Sequence, residues 1–336
     1  MISIVAPALY RHSSSYDFIS RCREEGEGPM SRQAPSPFHD GEIAVQTRAG
    51  VRAQARRVGG IIDTNLPPDA DDFLQRQRLV VAASVGADGR VWASLLTGPP
   101  GFLRANDAVS LQIAAAPITG DPLATNLEAT GAIGLLLFDP ATRQRWRING
   151  TATPTDRGLL VRTAQVYGNC PKYIQARTLA DESVATPVTP TRARGEVLTA
   201  PQQRLIAGAD TFFIASADEE GNADASHRGG SPGFVRVLDE GTLVWPDYAG
   251  NTMFNTLGNF AVNPRAGLLF VDFARGSTIQ LTGTARIDWD PARAATFPGA
   301  ERVVEFRIGV ALETFGATGQ RWALRARSPF NPPALA

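Results

Sequence analysis

The sequence predicts a mainly β protein built from two similar β-barrel units in tandem. Three observations carry that expectation. From residue 78 onward, short apolar runs alternate with Gly, Asp and Asn, the texture of strands joined by tight turns. Matching blocks recur in the same order at an offset of 132 or 133 residues. Each recurring half supplies about six short strands and a helix, the usual content of a small barrel.

The 336 residues suffice for about two domains. With 33 basic and 33 acidic residues the formal charge is zero, which argues against a general nucleic-acid or anionic-membrane binder. Two cysteines, Cys22 and Cys170, and three histidines, His12, His39 and His227, supply neither a disulfide framework nor a multi-ligand metal site. The longest apolar run, GAIGLLLF at 131–138, is too short to cross a bilayer.

Residues 1–35 carry no fold signal. ISIVAPALY lacks a preceding basic segment and a clear cleavage site, so 1–29 reads as disordered or as a misassigned start before Met30, and the location as cytoplasmic. Residues 36–66 read as helical. A helix is predicted over 40–58, capped by Asp40, with Glu42 in its first turn and Gly59-Gly60 at its end. Arg48, Arg52 and Arg56 lie four apart and read as a solvated face rather than an anion-binding stripe. A short helix follows over 67–77.

LVVAAS-GADG-RVWASLL and TFFIASADEEGNADASH both read as hairpins. ADGRVWASLLTGPPGFL at 87–103 aligns with EEGNADASHRGGSPGFV at 219–235, placing Ser94 on Ser226 and Gly101-Phe102 on Gly233-Phe234. GLLLFDP at 134–140 aligns with GLLFVDF at 267–273, and INGTA at 148–152 with LTGTA at 281–285. The halves are therefore 67–182 and 200–330, joined by a Pro/Thr-rich linker over 183–199, and two such halves should pack about a pseudo-twofold axis. In the second half TLVWP is a strand ending at Pro246, and a helix starts at Gly250-Asn251-Thr252 and ends at Asn263-Pro264. In the first half Asp121-Pro122 opens the counterpart helix.

The richest polar cluster is SHRGGSPGF at 226–234, read as a loop carrying Ser226, His227, Arg228 and Ser231. Glycines admit an anion to the backbone, Arg adds charge, and the following helix start adds free amides. Asn255 and Asn259 share a face of that helix. The residues suit a phosphate-bearing ligand, and equally a Gly-rich turn beside a capped helix. At the same place the first half reads SLLTGPPGF, a degenerate copy. YGNCPKYIQAR at 167–177, taken to follow a Leu/Val-rich helix, offers Lys172 and Gln175 as ligand contacts, with Cys170 a packed cysteine. Arg143, Arg145 and Arg147 share one face of a strand and read as solvated. No nucleophile elbow, H-E-x-x-H or convincing carboxylate pair is present.

The run from DTFFIASA through ADASHRGGSPGFVRVLDEGTLVWPDYAGNTMFNTLGNFAVNPRAGLLFVDF to IQLTGTA resembles the pyridoxamine 5′-phosphate oxidase-like, FMN-binding split-barrel superfamily. SPFHDGEIAVQTRAGV and YGNCPKYIQ are similar to its predicted flavin-nucleotide-binding subgroup, and the likeness spans about residues 36–330. It implies two split β-barrels with flanking helices, and FMN held between them. Its cofactor contacts would fall on Ser226, His227, Arg228, Ser231, Trp245, Asp247, Asn251, Asn255 and Thr256, with Lys172 and Gln175 from the other half. His227 would be the proton relay or a hydrogen-bonded structural histidine. The helix carries Asn255-Thr256 where the family has an Arg-Lys pair, and VEFRIG at 304–309 lacks the family's terminal histidine, which argues against pyridoxal-phosphate synthesis. The resemblance implies an oxidoreductase acting on a small molecule with transient NAD(P)H or oxygen. The alternative is a non-enzymatic binder of flavin, haem or deazaflavin. A further pairing of the duplicated chain into a homodimer is also implied.

Overall fold

The computed structural model describes residues 36–180 and 189–333. The reading of residues 1–35, and residues 183–188 of the predicted linker, lie outside the described residues.

The predicted helix over 40–58 is two helices, α1 (Asp40–Arg48) and α2 (Arg52–Gly59). They part at Gly50, whose φ of 72° is a left-handed turn that a glycine adopts without strain. The cap is His39 rather than Asp40. Gly41 N donates to its Nδ1 at 3.1 Å, and His39 N donates to the Glu42 carboxylate at 3.0 Å, a reciprocal capping box. The arginine face is therefore broken: Arg48 lies over the Trp289 ring, Arg52 donates to Gln46 Oε1 at 2.6 Å, and Arg56 is exposed.

The first half opens with α3 (Ala70–Arg76), then β1 (Leu79–Val85), β2 (Val91–Thr97), β3 (Leu103–Asp107), β4 (Ser110–Ile113), α4 (Pro122–Thr130), β5 (Ala132–Asp139), β6 (Gln144–Thr155) and β7 (Gly158–Gly168). The strands form one antiparallel sheet in the order β2-β1-β5-β6-β7-β4-β3. The segment before YGNCPKYIQ, predicted as a helix, is β7. Burial alternates at a period of two over Gly158–Val161, and the segment pairs with β6 and with β4 as a strand.

The second half repeats the plan with α5 (Ala200–Ala207), β10 (Thr211–Ala217), β11 (Ala223–Gly229), β12 (Arg236–Asp239), β13 (Thr242–Tyr248), α6 (Asn255–Val262), β14 (Arg265–Asp272), β15 (Ser277–Asp288), α7 (Pro291–Ala295) and β16 (Ala300–Phe315). Its sheet order, β11-β10-β14-β15-β16-β13-β12, is the first sheet's order strand for strand. The duplication expected from the sequence is thus present in the topology. Two short strands tie the halves: β8 (Ala176–Leu179) pairs with β17 (Trp322–Ala326), and β9 (Thr191–Gly195) pairs with β16. Part of the predicted linker is therefore a strand, because it finds an open edge to pair with.

β1 is buried on both faces. Val80 and Ala82 fill the first barrel, while Leu79, Val81 and Ala83 join Phe213, Ala215, Ala225 and Leu269 in an apolar layer between the halves. Two glycines at matching repeat positions set the spacing. A Cβ on Gly134 would stand 2.5 Å from Ala223 O, and one on Gly267 would stand 2.8 Å from Trp92 Cα. Each half thus sets one glycine of its strand, Gly134 of β5 or Gly267 of β14, against the other half's hairpin.

Candidate functional site

A cavity of about 600 Å³ lies where β6 and the Asn169–Tyr173 segment of the first half meet β11, β13, α6 and β16 of the second. It gathers most of the residues expected from the sequence: Lys172, Ser226, His227, Arg228, Asp247, Asn251, Asn255 and Thr256. Three others lie elsewhere. Trp245 is 1% exposed in the second barrel's core, packed edge-on to Phe212. Gln175 is fully buried, accepting from Ser328 N at 2.8 Å and so pinning the C-terminal segment. Ser231 donates to Pro332 O at 3.3 Å outside the cavity.

Two local expectations are corrected. Ser226, His227 and Arg228 sit on strand β11 rather than on a loop, because their register against β10 continues to Gly229. The helix α6 starts at Asn255, not at Gly250. The intervening turn holds Thr252 at φ 65° and Phe254 at φ 61°, and Tyr173 across the cavity has φ 66°. Non-glycine residues in this region store strain and gather at functional sites.

The larger correction concerns Arg143, which precedes β6 in a left-handed turn at φ 57°, and Arg145 and Arg147 on β6. Arg143 donates to backbone carbonyls at Ile174 and Arg327 rather than to solvent. Arg147 is 6% exposed and joins the halves. Its Nη1 lies 3.2 Å from Asp224 Oδ2, 3.0 Å from Asn255 Oδ1 and 3.3 Å from Tyr167 Oη, and its Nη2 donates to Ser226 Oγ. Asn255 in turn donates to Glu42 Oε1 at 2.5 Å, so the N-terminal helix is wired to the cavity. Burial pushes the Glu42 carboxyl up to about 7, against the pull of His39. Arg145 donates from Nη1 to His227 Nδ1 at 2.9 Å, and burial beside Arg147 pushes its pKa down to about 9. Arg302, on β16, faces Asp247 at 3.6 Å and stacks over Phe254 and Trp289.

His227 is 3% exposed, with its ring stacked on Phe138 at 5.1 Å. Burial, reinforced by Arg145, holds its pKa well below the ordinary value. Neutral, it accepts from Arg145 at Nδ1, while its Nε2 has no hydrogen-bond partner. His39 is likewise engaged, its Nε2 at 2.8 Å from Asn259 Oδ1.

The cavity wall is electropositive. Arg145, Arg147, Lys172, Arg228 and Arg302 line it against Asp247 and Glu301. Several buried donors there have no hydrogen-bond partner: Nε of Arg145, Arg228 and Arg302, Nδ2 of Asn169, and the hydroxyls of Thr252 and Thr256. Buried unpaired donors are costly, about 1–3 kcal/mol each and more for charged groups, and such a cluster can receive an anion. At the rim Tyr173 crosses from one half to the other, donating from Oη to Ala249 O at 3.0 Å and lying 5.2 Å from the Tyr248 ring. Among the described residues no group of His, Cys, Asp and Glu could hold a metal, and no helix is long and apolar enough to span a membrane.

The sequence profile described as pyridoxamine 5′-phosphate oxidase matches residues 66–195 and again 198–314. The chain belongs to this family. Solved structures similar to it include HupZ of Group A Streptococcus, 16% identical over 34% of this chain and 92% of that one, with a TM-score of 0.29. An FMN-binding protein of Syntrophomonas wolfei is 10% identical over 32% and 80%, with a TM-score of 0.25. The FAD binding protein of Mycobacterium smegmatis is 16% identical over 35% and 97%, with a TM-score of 0.26. No curated protein matches the sequence.

In this family member the two copies of the site have diverged. Where the second half has Asp224, the first has Trp92, packed on Val310 and Leu312. Where the cavity has Ser226 and Arg147, the mirror position has Ser94 and Gln280. Ser94 donates to Asp121 Oδ1 at 2.5 Å, and Gln280 donates to Asp121 Oδ2 at 3.1 Å. These bonds close the mirror site on itself, with Asp121 only 5% exposed.

Proposed function

We propose that the protein is an FMN-binding flavoprotein, acting as an oxidoreductase on a small molecule. The observation that carries this reading is the set of buried, unpartnered donors at one end of the cavity: Nε of Arg228 and Arg302 and the hydroxyls of Thr252 and Thr256. Two guanidinium groups and two hydroxyls suit a phosphate monoester, which offers three acceptor oxygens and up to two negative charges. A cavity of about 600 Å³ falls within the range of roughly 300–1,000 Å³ that takes a cofactor-sized molecule. Membership of the family supports a flavin as the occupant. Bound there, the flavin would supply the electron chemistry.

The chain's own residues position and tune. Asp247 faces both Arg228 and Arg302 and holds their charges in place. Ser226 accepts from Arg147 and Arg228, fixing both side chains against the strand. Lys172, from the first half, stands at the opposite wall, its ammonium over the Phe330 ring at 5.6 Å. Asn255 cannot take the role of the family's Arg-Lys pair, because Glu42 and Arg147 already occupy its amide. Pyridoxal-phosphate synthesis is therefore not the proposed reaction. With the mirror site closed, one flavin per chain is proposed.

The test is the visible spectrum of the purified protein, followed by release and chromatographic identification of the chromophore. The expected result is a yellow protein releasing one FMN per chain, with retention weakened in Arg228→Ala. Turnover with NAD(P)H or oxygen then separates an oxidoreductase from a flavin carrier. A colourless protein that does not take up added FMN overturns the reading.

A further inference from the structure

The cavity contains a second set of unsatisfied groups that a flavin phosphate does not use. Arg145 is a cation without a carboxylate within 4 Å among the described residues; its side-chain hydrogen-bond partner is the neutral His227. Its neighbours Arg147 and Arg228 are themselves cations, the first already neutralised by Asp224 and the second beside Asp247. A guanidinium held this way lacks its counter-charge, and a partly buried charge of one sign calls for an anion. Asn169 completes the arrangement. It is 9% exposed, its Oδ1 accepts from Asn251 at 2.9 Å, and its Nδ2 has no partner. Asn169 N donates to Arg145 O at 3.1 Å, so the two side chains leave adjacent backbone positions on the first half's wall.

This set shares no contact with Arg302, whose surroundings are Asp247, Glu301, Phe254 and Trp289. Its donor count is also different. One cation and one amide N–H match the single charge and two oxygens of a carboxylate, whereas the Arg228–Arg302–threonine end is equipped for a phosphate.

We propose that Arg145 and Asn169 form a binding site for the carboxylate of a small-molecule substrate, at the first-half wall of the cavity. The site rests on the flavin reading for its place in a reaction, but not for its binding chemistry. His227 acts as the positioning residue that turns Arg145 toward the ligand, and Cys170 and Tyr173 line the same wall.

The test is calorimetric titration of the purified protein with benzoate and with its uncharged isostere benzamide, with FMN content measured on the same samples. Benzoate should bind saturably and benzamide about 10- to 100-fold more weakly, the worth of one charge-assisted hydrogen bond. Arg145→Gln should weaken benzoate by the same factor with FMN content unchanged. Asn169→Asp places a carboxylate beside Arg145 and should expel benzoate in a protein that melts no lower than the parent. Equal affinity for the two probes, or unaltered benzoate binding in either variant, overturns the proposal. Loss of FMN instead of benzoate in Arg145→Gln assigns Arg145 to the cofactor and also overturns it. Failure of the flavin reading looks different: no FMN is found, while benzoate still binds through Arg145.

Discussion

Replacing Arg147 with Met tests whether one side chain holds the two halves in register at the cavity. The methionine keeps the stem's apolar volume and removes the guanidinium. Asp224, 4% exposed, then loses two contacts at 3.2 and 3.3 Å and keeps Asn149 Nδ2 at 3.2 Å. Breaking one partner out of a buried ion pair costs about 3–5 kcal/mol, mostly because the remaining charge stays buried. At roughly 2 °C per kcal/mol for a chain of this size, the melting temperature should fall by about 6–10 °C. The decisive comparison is the double variant Arg147→Met/Asp224→Leu, which buries no unpaired charge and should recover most of the loss. Differential scanning calorimetry of the parent, both single variants and the double variant supplies the full cycle. A single variant within about 1 kcal/mol of the parent, or a double variant as unstable as the sum of the singles, would refute the reasoning.

Glu42 gives a pH signature. Its folded carboxyl titrates at about 7 against an ordinary 4.5. The native state therefore binds the proton more tightly, and stability falls as pH rises between those values, by at most about 3 kcal/mol. Glu42→Gln keeps an acceptor for Asn255 and should flatten that slope, as urea unfolding at a series of pH values would register. His227 has the opposite sign: its folded pKa is depressed, so stability is lost as pH drops below its ordinary value, and His227→Phe should shrink that acid loss. Gly134→Ala drives a methyl to 2.5 Å from the backbone of the opposing hairpin. It should destabilise by about 1–3 kcal/mol in chemical denaturation, while an alanine at the open position Gly233 costs only its backbone strain.

The duplication and the hairpins were legible because they rest on local signals, namely apolar runs broken by glycine turns, seen twice in one chain, whereas the strand order rests on long-range pairing. Ser226 and Arg228 stood out because glycine and polar residues interrupt an apolar pattern there, while Asp247 was reached only through the family resemblance. Arg145 and Arg147 were not. An alternating basic strand means solvent when one face is free, but here Ile148 of β6 packs into its own barrel while the neighbouring Arg147 is buried against the second half. Only the Asp224 and Ser226 partners reveal that, and they lie about eighty positions along the sequence. The break at Gly50 and the late start of α6 were hidden for a related reason. Helical spacing continues through both places; left-handed backbone at Gly50 ends α1 and at Phe254 delays α6, and the start of α1 then packs on α6. Glu42 reads as a first-turn acid in the sequence and becomes a buried ligand of Asn255 only through that packing.

The closed mirror site beside the open one has a consequence for assembly. A relative that builds such a pocket from two identical subunits must keep every wall residue compatible with both roles, and its pocket comes apart on dilution. Here the two walls are covalently joined at an effective local concentration on the order of millimolar or more. The pocket therefore persists at the nanomolar level of a dilute cell extract. Each wall is also free to change alone, as Trp92 and Asp224 have done.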